Sequence, residues 1–179
     1  GTRIQRACGF DDSVEGMAAY VRLAAGARPD EVRVRLYCEG SLEHFAWLSA
    51  LGVEWNASFC DDKVTHPLTA DGLLFTGNEE AWPCREATPP VPRGHKPARE
   101  GEAGGYLMEV VMRAAAAAGA RSVNDCLALR LVQREDGRVA GVVALCLGRE
   151  LRVCARRGVV LAAGGFAMDR RVLGAHAPA

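Results

Sequence analysis

Gly158-Val159-Val160-Leu161-Ala162-Ala163-Gly164-Gly165-Phe166-Ala167 is the stretch whose reading decides the fold. Its first half is a continuous apolar run, the pattern of a strand buried on both faces of a parallel sheet. Its second half carries almost no side-chain bulk. At the carboxyl end of such a strand, this lets another backbone or a ligand approach the main chain closely. Ligands of open α/β sheets bind at that end. Small residues there also serve tight turns, so taken alone the stretch supports either reading.

Working outward, Leu127 to Gln133 and Val139 to Leu147 are β-rich runs separated by Glu135-Asp136-Gly137-Arg138, whose Asp-Gly pair suits a tight hairpin. Gly148-Arg149 makes the next turn, and Leu151 to Ala155 pairs back as a third antiparallel strand. Upstream, Gly104-Gly105 opens a helix from Tyr106 to Ala118, with Leu107, Val110, Val111 and Ala114 as its apolar side and Gly119 as its stop. The first third is helical in pattern. Asp11-Asp12-Ser13 offers capping acceptors ahead of Val14, Met17, Ala18, Val21 and Ala25, and Gly26 ends that helix. Pro29-Asp30-Glu31 opens a second helix carrying Val32, Leu36 and Tyr37. Gly40-Ser41 is expected to break and re-cap it before a third helix with Leu42, Phe45, Leu48 and Leu51.

Between Val53 and Glu102 the periodicity fades, and five of the eight prolines fall between Pro83 and Pro97. Their fixed φ and absent amides predict a long irregular loop with few backbone bonds and little apolar burial, read either as a lid or binding loop or as a linker.

Composition bounds the function. The 179 residues are 49% apolar, and 22 basic side chains balance 22 acidic ones, which excludes wholesale disorder and leaves no net field to concentrate nucleic acid. The longest apolar stretch falls well short of the ~18 residues that a membrane span requires. Seven cysteines form no C-x-x-C pair, and most sit inside apolar runs as small hydrophobes would, which fits a reducing cytoplasm. His44, His66, His95 and His176 are not grouped for a metal, so none is expected. The beginning at Gly1-Thr2-Arg3 has no signal layout and reads as an internal cut.

Several segments together resemble the flavoproteins that include fumarate reductases and 3-oxosteroid dehydrogenases. Residues Gly158 to Ala167 are similar to that family's terminal FAD-domain strand, and Asp136-Gly137-Arg138-Val139-Ala140-Gly141-Val142 to its meander hairpin. Ala7-Cys8-Gly9-Phe10-Asp11-Asp12-Ser13, Tyr37-Cys38-Glu39-Gly40-Ser41, Trp47-Leu48 and Pro92-Arg93-Gly94-His95 are similar to the branch acting on Δ4-3-oxosteroids and their 5α-reduced forms, and the likeness extends to His176-Ala177-Pro178.

The resemblance implies an α+β to α/β fold, a partial glutathione-reductase-like FAD domain with part of a substrate domain. Residues 1–59 would be helical, 60–102 an irregular loop beginning the substrate domain, and 103–179 the FAD-domain helix, meander and terminal strand. The family's FAD domain opens with G-x-G-x-x-G, which has no counterpart here, so the chain is expected to start after the first βαβ unit and to stop before the rest of the substrate domain.

By the same resemblance Gly1 and Thr2 end a loop beside the flavin, Ala128 touches the adenine end, and Ala162, Ala163, Gly164 and Gly165 lie against the dinucleotide. Arg93 and His95 align with a segment whose histidine binds a substrate carboxylate in fumarate reductases. A steroid carries no such group, and there His95 would only order its loop. The family's steroid dehydrogenases remove two vicinal hydrogens, one as hydride to the flavin and one as a proton, while tyrosines polarise the ketone. Tyr20 and Tyr37 sit on amphipathic helices as packing residues, and no catalytic residue is assigned. The expected activity is dehydrogenation of a small steroid-like 3-oxo substrate, with oligomeric state left open. Reduction of an unsaturated carboxylate and a noncatalytic remnant are the alternatives. A small polar pocket at His95 would favour the carboxylate, and an apolar groove the steroid.

Overall fold

A computed structural model describes residues 1–64, 66–165 and 167–176. The chain forms two compact units, Gly1–Ala120 and Arg121–Ala179. In the first, α1 (Arg3–Ala7) starts with a capping box: Gln5 N–H donates to the Thr2 hydroxyl, and Thr2 N–H donates to Gln5 Oε1 at 2.8 Å. Helix α2 (Val14–Ala24) is capped by Ser13, whose hydroxyl oxygen accepts from Gly16 N–H at 3.0 Å. It packs on α3 (Glu31–Ala50) through Ala18, Val34 and Cys38, flanked by Val14, Met17 and Val21.

Helix α3 runs without interruption through Gly40-Ser41, where the sequence suggested a break. A mid-helix glycine costs only about 1 kcal/mol against alanine. The Ser41 hydroxyl donates to the Cys38 carbonyl at 2.9 Å, so it serves the helix interior and does not cap a new one. The second and third expected helices are therefore one, α3, and the short α1 precedes α2.

The proline-rich stretch also departs from expectation. It is irregular, containing the two-residue strands β1 (Leu73–Leu74) and β2 (Gly94–His95) and the one-turn α4 (Cys84–Ala87), but it is pinned and partly buried. Cys60 N–H donates to Leu73 O at 2.9 Å, Lys96 N–H to Gly72 O at 3.1 Å, Ala98 N–H to Glu54 O at 2.9 Å and Gly101 N–H to Leu68 O at 2.7 Å. Leu73, Val91 and Pro92 are buried. Prolines forbid long ladders, but they leave isolated backbone bonds and apolar burial intact. The antiparallel pairing of Leu73 with His95 and of Leu74 with Gly94 fixes where His95 sits.

Gly72 is indispensable to this packing, since a Cβ there would overlap the Asn56 carbonyl oxygen. Gly72→Ala is expected to lower stability by about 3 kcal/mol, read as a reduced denaturation midpoint. An unchanged midpoint would show that the 56–72 crossing can spread at little cost.

Helix α5 (Gly104–Ala117) buries Val110. The Tyr106 hydroxyl donates to Gly52 O and accepts from Glu54 N–H, each at 3.2 Å, and the Arg99 guanidinium lies 3.8 Å over its ring. These bonds tie α5 to the loop after α3 within the first compact unit.

The second unit is a meander of β3 (Cys126–Gln133), β4 (Val139–Cys146) and β5 (Arg149–Cys154), all antiparallel in the order β3-β4-β5. Gly137 takes φ +81° in the first hairpin, the conformation for which glycine is suited. Cys126 and Cys146 are opposed in register and joined as a disulfide, an exception to the reading of the cysteines as small hydrophobes; Cys8, Cys38, Cys60, Cys84 and Cys154 are free.

Residues 158–165 belong to no helix or strand, pair with no strand among the described residues and are largely exposed, with Val160 at 91%. The expectation of a strand buried on both faces fails within this chain, because such a strand is buried only when neighbours flank it. Helix α6 (Arg170–His176) follows. Phe166, Ala177 and Pro178 lie outside the described residues. None of the described helices is long and apolar enough to cross a membrane.

Candidate functional site

The first unit carries an open cavity of about 700 Å³, within the range of small-molecule sites. Helix α2 contributes Val14 and Met17 to its lining, and α3 contributes Leu36, Tyr37, Phe45 and Leu48. Trp55 and Leu107 add further apolar surface, and Thr2, Gln5, Asp12, Arg93 and His95 gather as its polar wall. The aromatic side is built by Phe45, whose ring centroid lies 4.9 Å from that of Trp55 and 5.0 Å from that of His95.

The polar wall is bonded to itself. Arg93 Nε and Nη2 donate to the two Asp12 carboxylate oxygens at 2.8 and 2.7 Å, and these side chains are only 6% and 8% exposed. The bidentate fork uses the planar geometry that arginine alone offers. Gln5 Nε2 donates to the Pro92 carbonyl at 2.9 Å, and the Gly1 amine donates to the Asp12 carbonyl at 2.7 Å.

His95 Nδ1 lies 2.9 Å from the Arg93 carbonyl and Nε2 lies 2.8 Å from the Thr2 hydroxyl. A carbonyl can only accept, so Nδ1 carries the proton. Burial holds the imidazole below its ordinary pKa, so the neutral ring accepts at Nε2 and Thr2 O–H donates.

This has a pH consequence. His95 stays neutral in the folded protein below the pH at which the unfolded chain protonates it, at about 6.5. The unfolded state then binds more protons, so stability is complete above that pH and falls as pH drops towards the lower folded-state pKa. His95→Gln should flatten the fall in denaturation midpoint between about pH 6.5 and 5. An equal slope in both proteins would remove His95 as its source.

Of the residues nominated from sequence, Gly1, Thr2, Arg93 and His95 come together at this cavity. Ala128 lies exposed on β3, opposite Ala144 of β4. Ala162, Ala163, Gly164 and Gly165 are exposed and lie outside any helix or strand in the second unit. Gly164 has φ +81°, and a Cβ at Gly164 or Gly165 would meet nothing. A main chain this open and this bare fits a group that docks on backbone atoms.

The sequence reading missed the Asp12–Arg93 pair, because Asp12 reads as a helix cap and its partner is 81 positions away. It also missed Phe45 and Trp55 as cavity walls. The helical spacing of Phe45 signalled burial but not burial against a hollow, and Trp55 falls in the stretch without periodicity.

Comparison with known protein families matches residues 2–179 to the FAD binding domain. The chain belongs to the FAD binding domain family. Among curated members it is similar to the 3-oxo-5-alpha-steroid 4-dehydrogenase of Comamonas testosteroni, 30% identical over 139 residues, covering 74% of this chain and 26% of that protein. Among solved structures it is similar to the 3-ketosteroid-Δ4-(5α)-dehydrogenase of Rhodococcus jostii RHA1 in complex with 4-androstene-3,17-dione. That match has a TM-score of 0.92 at 42% identity and covers 99% of this chain and 38% of that one. A flavocytochrome c3 fumarate reductase in its open conformation shares the fold, with a TM-score of 0.73 at 23% identity over 99% of this chain and 27% of that one. This FAD binding domain chain thus spans well under half the length of each relative, and its mixed helix and sheet architecture is theirs.

Proposed function

We propose that the chain is part of an FAD-dependent dehydrogenase of 3-oxosteroids, converting a CH–CH bond of the steroid ring to C=C. Two hydrogens leave vicinal carbons, one as hydride and one as a proton. FAD supplies the two-electron acceptor. The observation that carries the substrate class is the apolar cavity, whose Arg93 is already neutralised by Asp12. A small dicarboxylate would need a free cation there, whereas a rigid apolar skeleton needs the surfaces of Met17, Leu36, Phe45, Leu48 and Trp55, which also keep water from the ligand. The printed names of the relatives from Comamonas testosteroni and Rhodococcus jostii RHA1 point the same way.

In this reading Thr2, Gln5, Arg93 and His95 hold the cavity wall in shape. In the second unit the backbone of Ala162 to Gly165, with Ala128, would lie against the dinucleotide, and no residue of the chain is assigned as the proton acceptor. Gly164→Leu in the full-length protein should then reduce flavin occupancy more than it reduces the melting temperature, because a side chain would stand where the cofactor meets bare backbone. Equal flavin content would remove that strand end from the site. The activity is tested by dye-linked turnover: a 5α-reduced 3-oxosteroid should give an enone product, and turnover with carboxylates alone would overturn the substrate class.

A further inference from the structure

We infer that Ser49, which lies outside the cavity lining, is a positioning residue for ligand selectivity: it locks Trp55 in one orientation and so fixes the size of the cavity's aromatic end. The inference rests on the steroid reading of the cavity and adds what limits the bulk of the ligand there.

Helix α3 and the loop after it bring the two residues together. Ser49 stands about one helical turn after Phe45, and its hydroxyl donates to the Phe45 carbonyl at 2.9 Å. The helix ends at Ala50, and Trp55 folds back on it. The Trp55 ring lies tilted on Phe45 with centroids 4.9 Å apart, while its Nε1–H donates to the Ser49 Oγ at 3.0 Å. A tilted ring contact tolerates sliding and rotation, whereas a hydrogen bond fixes one atom of the indole. One hydroxyl thus ties the indole to the helix that carries Phe45.

The chain on both sides of Trp55 is held as well. Glu54 N–H donates to the Tyr106 hydroxyl at 3.2 Å, the Glu54 carbonyl accepts from Ala98 N–H at 2.9 Å, and Asn56 Nδ2 donates to the Ala70 carbonyl at 2.7 Å. The Trp55 and His95 rings meet edge to face with centroids 6.3 Å apart, and both nitrogens of His95 are already bonded. With its one side-chain donor taken by Ser49, Trp55 offers the cavity ring surface alone, a wall that recognises shape. A ligand too large for this end must push the indole aside and break its bond to Ser49. A ligand that fits leaves the bond intact, so the Ser49 hydroxyl penalises bulk selectively.

The test uses the full-length, flavin-loaded protein and its binding of 4-androstene-3,17-dione, compared with two enlarged analogues. One carries an extra methyl group on the A ring, and the other an acetyl group in place of the C17 oxygen. The wild type should bind at least one analogue about 10-fold or more weakly than the dione, the effect of a surplus carbon group in a rigid apolar pocket. Ser49→Ala should shrink that ratio by about 5-fold, the worth of the hydrogen bond that no longer has to be broken. Trp55→Ala should remove the ratio, and Ser49→Thr, which keeps the hydroxyl, should preserve it. A merely structural role would weaken all three ligands alike and leave the ratio where it was. Because Ser49→Ala removes a single oxygen from a half-buried site, the variant is expected to fold, and its melting temperature checks this. A ratio unchanged in Ser49→Ala, or reduced as much in Ser49→Thr, overturns the assignment, as does equal binding of all three ligands to the wild type. Failure of every steroid to bind would overturn the cavity reading itself, and the assignment with it.

Discussion

Replacing Arg93 by alanine is expected to destabilise the protein by about 3–5 kcal/mol, a large share of the stability of an ordinary domain. The Asp12 carboxylate would keep its place in the interior without the two donors that now saturate it, and only Gln5 Nε2, at 3.5 Å, and the Ser13 amide would remain near it. Asp12→Ala should cost a similar amount by stranding the guanidinium. The double change Asp12→Leu with Arg93→Met, which removes both charges and keeps apolar volume, should cost much less than the two single losses combined. Denaturant titration of the set reads this directly. Additive losses would show that the ion pair is not a coupled unit and that the polar wall does not depend on it.

Placing a carboxylate on the cavity wall should act on the ligand and spare the fold. Leu36 lines the cavity but is 67% exposed, so Leu36→Asp removes little buried surface and its charge stays solvated in the free protein. Once an apolar ligand covers it, the carboxylate loses water without gaining a partner, and steroid affinity should fall by about 30-fold or more, with Leu36→Met near the wild type. Unchanged steroid affinity in Leu36→Asp, measured alongside an unchanged melting temperature, would place the ligand elsewhere.

The meander was legible in the sequence because strand runs, an Asp-Gly turn and a Gly148 turn agree with one another at short range, and β3, β4 and β5 follow them. Helices α2 and α5 were legible for the same reason. Gly40 misled because glycine weakens a helix without ending it, and α3 is held by packing of Val34 and Cys38 that local propensity does not encode. Val160 and Leu161 misled in the opposite sense: their pattern describes a buried strand, yet in this chain they find no ladder. The site was half legible. Thr2, Arg93 and His95 were reached through resemblance, whereas their partners Asp12, Gln5 and Phe45 depend on contacts between distant segments that no spacing rule brings together.

The most direct test of the steroid dehydrogenase reading is anaerobic titration of the full-length, FAD-loaded protein with a 5α-reduced 3-oxosteroid, following the flavin absorbance. The account predicts bleaching of the oxidised flavin with formation of one enone per flavin reduced. No bleaching by any 3-oxosteroid, together with reoxidation of the chemically reduced flavin by fumarate, would contradict it.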